Sequence, residues 1–305
     1  MKIVDINKQI KMIDINGVDH TSFFIQGDEK NILIESGYPS ETDLLFEGIE
    51  KLGLTISDID YFIATHIHLD HVGAAGYLAS KNRNLIVFIH EIGARHLINP
   101  ERLNESAKRA YKERFSAIGS MVPAPAEQVH PLQDLEEIEL GGNSIRVHFT
   151  PGHAKHHLII LEKNNNILFT GDAMGANYPG VPLYITVPPP DYNKEQALKS
   201  IDLIKELDPS LLIFTHFGRL NPSKRENVYN QIKNKHKFWC NSIKKILKGN
   251  SNISKKKILE IMLKKTSILD SLTEEIRKIY EQVTINSFNL NIEGVSRYLK
   301  KNNLI

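Results

Sequence analysis

One seven-residue run constrains this chain more than any other: Thr65-His66-Ile67-His68-Leu69-Asp70-His71. It follows residues 60–64, a short apolar stretch that reads as a buried strand. Three histidines and one aspartate fall within six positions. His66 and His68 are two apart, so an extended backbone turns both imidazoles toward one point. Asp70 and His71 fall where the chain bends into a helical stretch at 73–81, and can face a second point nearby. Imidazole nitrogen together with carboxylate oxygen suits zinc and related first-row ions. Four such residues in seven, at the end of an apolar strand, are poorly explained as ordinary surface side chains.

Composition narrows the chemistry. The only cysteine is Cys240, which excludes an internal disulfide and a thiolate cluster, so a metal must be held by nitrogen and oxygen. Cys240 stands beside Trp239 on an expected helix and reads as a packed thiol. A length of 305 residues suffices for one large domain with an appendage. The net charge of +2 gives no global pull toward nucleic acid. The first residues alternate apolar and polar rather than forming a leader. No window approaches the roughly 18 apolar residues of a spanning helix. The expectation is a cytoplasmic protein with no membrane partner.

Along the chain, residues 2–6, 11–15, 21–26 and 31–35 read as strands separated by tight turns. A helix is predicted over 41–52, with Gly53 as its stop. Residues 85–90 read as a buried strand and 91–120 as helical, while Pro123, Pro125 and Pro131 mark an irregular loop. Strands return at 138–140, 144–150, 158–162 and 167–170. The loop 173–191 holds five prolines, and a helix at 192–207 and a strand at 211–215 follow. Beyond 220 the pattern becomes Lys-rich and helical. The reading is a domain at 1–220 with a C-terminal helical extension at 221–305. Runs of strands interleaved with helices suggest two packed sheets with helices outside. The extension's lysines are expected to form a solvated helix face, so nucleic acid is a disfavoured partner. Its apolar positions could cover the site or join two subunits as a homodimer.

Three later segments repeat the first design, an apolar strand ending in a ligand-type residue: Thr150-Pro151-Gly152-His153, Thr170-Gly171-Asp172 and Thr215-His216. With the first run they make seven donors, enough for two ions. In this combination the chain resembles the metallo-β-lactamase superfamily, whose general form is His-x-His-x-Asp-His followed by separate His, Asp and His. The resemblance spans about residues 15–220. Residues 89–97 and 215–218 point within it to a hydrolase-like branch found in archaea and bacteria.

The resemblance implies an α/β (α+β) class fold, a four-layer αββα sandwich. It implies that His66, His68 and His153 hold one metal, that Asp70, His71 and His216 hold the other, and that Asp172 bridges them. The implied cofactors are two divalent ions, zinc first, with iron or manganese as alternatives. The implied activity is hydrolysis of a small ester, lactone or thioester by metal-activated water, with Asp70 as a proton acceptor. The chief rival is a mononuclear-iron oxygenase acting on persulfides. A phosphodiesterase or nuclease ranks lower, and a redox protein is disfavoured by His68. The chain departs from the family's Asp-x-Gly turn: it carries Glu35-Ser36-Gly37, whose carboxylate is one methylene longer. His156 and His157 could buttress a ligand or bond to backbone. Tyr178 and Tyr184, in the proline-rich loop, are candidates to line the pocket. His90 and His96 read as structural, and His20, His130, His148 and His236 carry no pattern.

Overall fold

The computed structural model describes residues 1–220 and 225–305, which fall into two compact units. The first comprises Met1–Phe149 and His156–Phe169, and the second Thr150–Lys155 and Thr170–Ile305. The domain boundary expected near residue 220 falls against residues 221–224, outside the described ones.

In the first unit, β1 (Lys2–Asp5), β2 (Ile10–Asp14), β3 (Thr21–Gln26) and β4 (Asn31–Ile34) form an antiparallel meander. Then β5 (Tyr61–Ile63), β6 (Ile86–His90) and β7 (Val129–Leu132) extend the same sheet in parallel, giving seven strands in sequence order. Parallel neighbours need crossovers. These are α1 (Thr42–Lys51), then α2 (Leu69–Val72) with α3 (Ala75–Lys81), then α4 (Glu91–Ile98), α5 (Glu101–Tyr111) and α6 (Phe115–Ile118). A second, antiparallel group follows: β8 (Glu137–Glu139), β9 (Ser144–Phe149), β10 (Leu158–Glu162) and β11 (Ile167–Phe169).

Alternation along the strands explains the layering. Phe24, Leu33, Phe62 and Val87 join Leu45, Leu78 and Leu97 of the helices in one core. Phe23, one residue from Phe24, points the other way and meets Phe169 of β11 at 5.1 Å between ring centroids. A sheet covered on both faces reads as continuous apolar runs, as Phe23-Phe24-Ile25 does. Each such side chain, fully buried, contributes about 1.5–3 kcal/mol.

Two local expectations are corrected. Residues 129–132 are strand β7, although Pro131 suggested an irregular loop. Proline is tolerated because β7 is the last strand of its sheet, where a missing N–H costs little. The helix expected over 73–81 begins at Ala75, with Gly73 standing between it and α2. A Cβ at Gly73 would lie 2.4 Å from the Gly37 carbonyl oxygen, so this approach of two turns requires glycine.

In the second unit, α7 (Lys194–Glu206) starts where the Asn193 side chain accepts from Gln196 N–H. The hairpin β12 (Leu211–Phe214) and β13 (Gly218–Arg219) comes next. The helical extension consists of α8 (Arg225–Gly249), α9 (Lys255–Thr266) and α10 (Glu274–Lys301). Ser254 and Thr273 cap α9 and α10 with their side chains. Trp239, Ile243, Met262, Phe288 and Val295 are buried among them, with Trp239 edge-on to Phe288 at 4.7 Å. Among the described residues no helix is long and apolar enough to cross a membrane.

Candidate metal centre

In the first unit, β5 ends directly in the His-rich run. Ile67 and Leu69 are buried, which anchors alternate positions and leaves His66 and His68 on a common side. His66 Nε2 lies 2.8 Å from His68 Nδ1. The His66 and His71 rings stand 3.9 Å apart, and Asp70 Oδ2 is 3.7 Å from His71 Nε2. All four sequence-predicted donors of this run therefore gather around one small volume.

Behind them sits Glu35, fully buried, with a φ of 63°. Its Oε1 accepts from the Thr65 hydroxyl at 2.6 Å and from the Thr65 N–H at 3.3 Å. Its Oε2 lies 3.0 Å from His71 Nδ1. The longer carboxylate thus spans from the start of the run to its last histidine. Holding Nδ1 this way presents Nε2 as the coordinating nitrogen. The Ser36 hydroxyl donates to the His71 carbonyl at 3.1 Å and accepts from Ala74 N–H, tying the same turn from its other side. His156 Nδ1 accepts from the Ile67 N–H, between the two leading histidines, so it braces the run through its backbone.

Sequence reasoning missed His20. It is buried, with Nδ1 2.8 Å from Asp19 and Nε2 3.8 Å from Asp70 Oδ2. Burial disfavours its charge, but Asp19, Asp70 and Glu41 outweigh that and hold its pKa well above the usual histidine range. The only cue was Asp19 beside it, which is too common a pair to single out.

In the second unit the donors come from three separate turns. Gly152 has a φ of 147°, and a Cβ there would lie 2.4 Å from Ala197 Cα, so the His153 turn lies tight against the start of α7. His153 Nδ1 donates to the Thr186 carbonyl at 2.7 Å. In the neutral ring, Nε2 then carries the lone pair, and it lies 3.4 Å from Asp172 Oδ2. The other carboxylate oxygen, Oδ1, lies 3.3 Å from His216 Nε2. Asp172 thus stands between two imidazoles and offers one oxygen to each. Thr170 fixes this turn by donating its N–H and its hydroxyl to the Ile213 carbonyl.

The proline-rich loop lines this half of the centre. The Tyr178 hydroxyl is 3.5 Å from His216 Nδ1. The Tyr184 hydroxyl instead donates to Ser287 of α10, 3.4 Å away. Asn291 of α10 grips the loop twice: its Oδ1 accepts from Val187 N–H and its Nδ2 donates to the Ile185 carbonyl, both at 2.7 Å. Thr186, which orients His153, lies between those two anchors. Gly294, one turn further along, permits the approach, since a Cβ there would meet the Val187 carbonyl oxygen at 1.9 Å. Two further histidines have packing partners: His90 caps α4 and stacks on Phe149, and His236 pairs with the Tyr192 hydroxyl at 3.0 Å. Cys240 is buried, and that burial raises its thiol pKa.

Lone-pair nitrogens and carboxylate oxygens crowded at these distances fit divalent first-row cations, which such donors accept together. Comparison with known proteins agrees. Residues 15–216 match the Metallo-beta-lactamase superfamily. The metallo-beta-lactamase fold-containing protein ST1585 of Sulfurisphaera tokodaii is 29% identical over 226 residues, covering 72% of this chain and 81% of that protein. Its solved structure superposes with a TM-score of 0.66, covering 95% of this chain and 99% of that one. A probable metallo-hydrolase of Methanocaldococcus jannaschii, MJ0888, is 33% identical over 54% of this chain and 73% of its own length. The hydroxyacylglutathione hydrolase GloC of Haemophilus influenzae is 29% identical over 54% of this chain and 71% of its own. A seven-stranded sheet facing an antiparallel one, helices outside and donors at the strand ends all follow from one inheritance: this chain belongs to the metallo-β-lactamase superfamily.

Proposed function

We propose that the chain is a binuclear metal-dependent hydrolase of small esters, lactones or thioesters. In this reading the two donor sets act together. His66, His68 and His153 hold one ion, Asp70, His71 and His216 hold the second, and Asp172 bridges them. Zinc is the favoured ion, with iron or manganese as alternatives. The observation that carries the reading is Asp172, whose two oxygens each lie within 3.4 Å of the Nε2 of a different histidine.

Bound divalent ions would supply Lewis acidity, lowering the pKa of water toward neutrality and polarising the scissile carbonyl. The chain's own residues do the rest. Glu35 and Thr186 fix the ring orientation of His71 and His153. Asp70, with one oxygen 3.8 Å from His20 Nε2, is the proposed proton acceptor, and His20 steadies its charge. Tyr178 is placed beside His216, where its hydroxyl can donate to a developing oxyanion. Thioesters stand first among the candidate substrates because the relative GloC is named a hydroxyacylglutathione hydrolase.

The test is elemental analysis of protein purified without added metal, followed by assay on thioesters, lactones and phosphodiesters. Two zinc ions per chain with thioester or lactone turnover is the expected result. A single iron with oxygen consumption on a persulfide would overturn the reading in favour of an oxygenase.

A further inference from the structure

The second unit encloses a cavity of about 360 Å³, none of whose walls comes from a proposed metal ligand. Its size lies within the range of small-molecule sites. One wall is a single face of α8: Gln231, Asn234, Lys235, Phe238 and Trp239 follow helical spacing. The opposite side is Phe288 of α10, Tyr184 of the proline-rich loop and Ile268. The floor is aromatic, with Trp239 edge-on to Phe288 at 4.7 Å and Tyr184 edge-on to Phe288 at 6.0 Å. Gln231 and Asn234 sit at the solvent side, and Phe238 is 38% exposed at the mouth.

Lys235 is the unusual member. Four other lysines of this helical region pair with acids: Lys233 with Asp202, Lys255 with Glu293, Lys257 with Glu260 and Lys278 with Glu274. Lys235 is half-buried in the cavity wall, and among the described residues no carboxylate pairs with it. Burial lowers the pKa of its ammonium. A partly desolvated cation without a counter-ion is unfavourable. Beside an aromatic floor, it calls for a ligand that brings both a negative charge and an apolar body.

We propose that this cavity binds an amphipathic monocarboxylate, its carboxylate on Lys235 and its compact apolar tail against Trp239, Phe288 and Ile268. Asn234 is placed to donate a further hydrogen bond to the carboxylate end. A single lysine favours one negative charge over a phosphate, which usually recruits several donors. The proposal does not depend on the hydrolase reading, because no lining residue belongs to the metal centre.

Trp239 is the only tryptophan, so its fluorescence reports on this cavity directly. The experiment titrates the full chain with 4-phenylbutyrate and, in parallel, with its uncharged analogue 4-phenylbutanol, following tryptophan emission and binding heat. The expected result is saturable binding of one 4-phenylbutyrate per chain, at least tenfold tighter than the alcohol. Lys235→Met should weaken the acid about tenfold and leave the alcohol unchanged, while Lys235→Arg should restore the preference. No saturable change with the acid would overturn the proposal. So would an alcohol that binds wild-type protein equally well, a comparison that requires no variant to fold.

Discussion

The two sets of proposed metal donors are positioned in opposite ways. In the first unit four donors lie within six positions, and one strand end with the turn after it aims them all. Glu35 and Ser36 need only reinforce a local shape. In the second unit His153, Asp172 and His216 arrive from turns far apart in sequence. Each is aimed by tertiary contacts: Thr186 for His153, Ile213 through Thr170 for Asp172, and Tyr178 for His216. A contiguous set tolerates damage outside its own segment. A dispersed set inherits the stability of everything that holds its pieces.

The largest effect should come from removing a donor in either set. His66→Ala and Asp172→Ala are each expected to abolish metal loading by elemental analysis and to lower turnover by about a thousandfold, roughly 4 kcal/mol of barrier. Full activity at unchanged metal content would refute the assignment. The comparison sharpens one layer out. Glu35→Ala leaves the Thr65 hydroxyl and His71 Nδ1 without their carboxylate, and should weaken metal binding 10–100-fold in a chelator competition. It should also cost about 1–3 kcal/mol of stability for each buried group left unsatisfied.

Asn291→Ala probes the dispersed set from a distance. It is expected to reduce metal affinity about tenfold, through His153 alone, with a smaller fall in melting temperature than Glu35→Ala causes. Gly294→Ala should reproduce the loss, because its added methyl forces α10 off the Val187 carbonyl. Affinity at the wild-type level in both variants would show that the loop holds its shape without the helix.

The last effect concerns pH. Burial, with a contribution from His153, pushes the His236 pKa down to about 3. Its folded pKa lies below the unfolded value near 6.5. The unfolded chain therefore binds the extra proton, and stability present above pH 6.5 is lost as pH falls toward 3. Urea unfolding between pH 7 and 5 should show wild type losing up to about 1.4 kcal/mol per pH unit more than His236→Gln. Equal slopes would mean that His236 is protonated at little cost.

What could be read from the sequence follows the same division. Thr65–His71 was legible because its chemistry is local, and β3 and β4 were legible as apolar strands between tight turns. The later donors were legible as a repeated design, an apolar strand ending in His or Asp, but only the family pattern assigned them to particular ions, since no spacing rule ties residue 153 to 172 and 216. Glu35 was visible as a departure, but its reach to both Thr65 and His71 depends on a left-handed backbone that the sequence does not announce. Strand β7 was hidden by Pro131, which is harmless only at a sheet edge. His20 and Asn291 gave no signal, because each acts on residues about 50 or 100 positions away.

The grip of Asn291 on the stretch around Thr186 has a consequence for how such chains are recognised. The motif that marks the superfamily ends at His216, while the side chain that steadies one of its proposed ligands stands 75 positions later. A homologue shortened by its final helix would still display every hallmark histidine and aspartate and would pass any search for them. It would nevertheless carry a loosened His153, and a catalogue built on motifs alone would count it as competent.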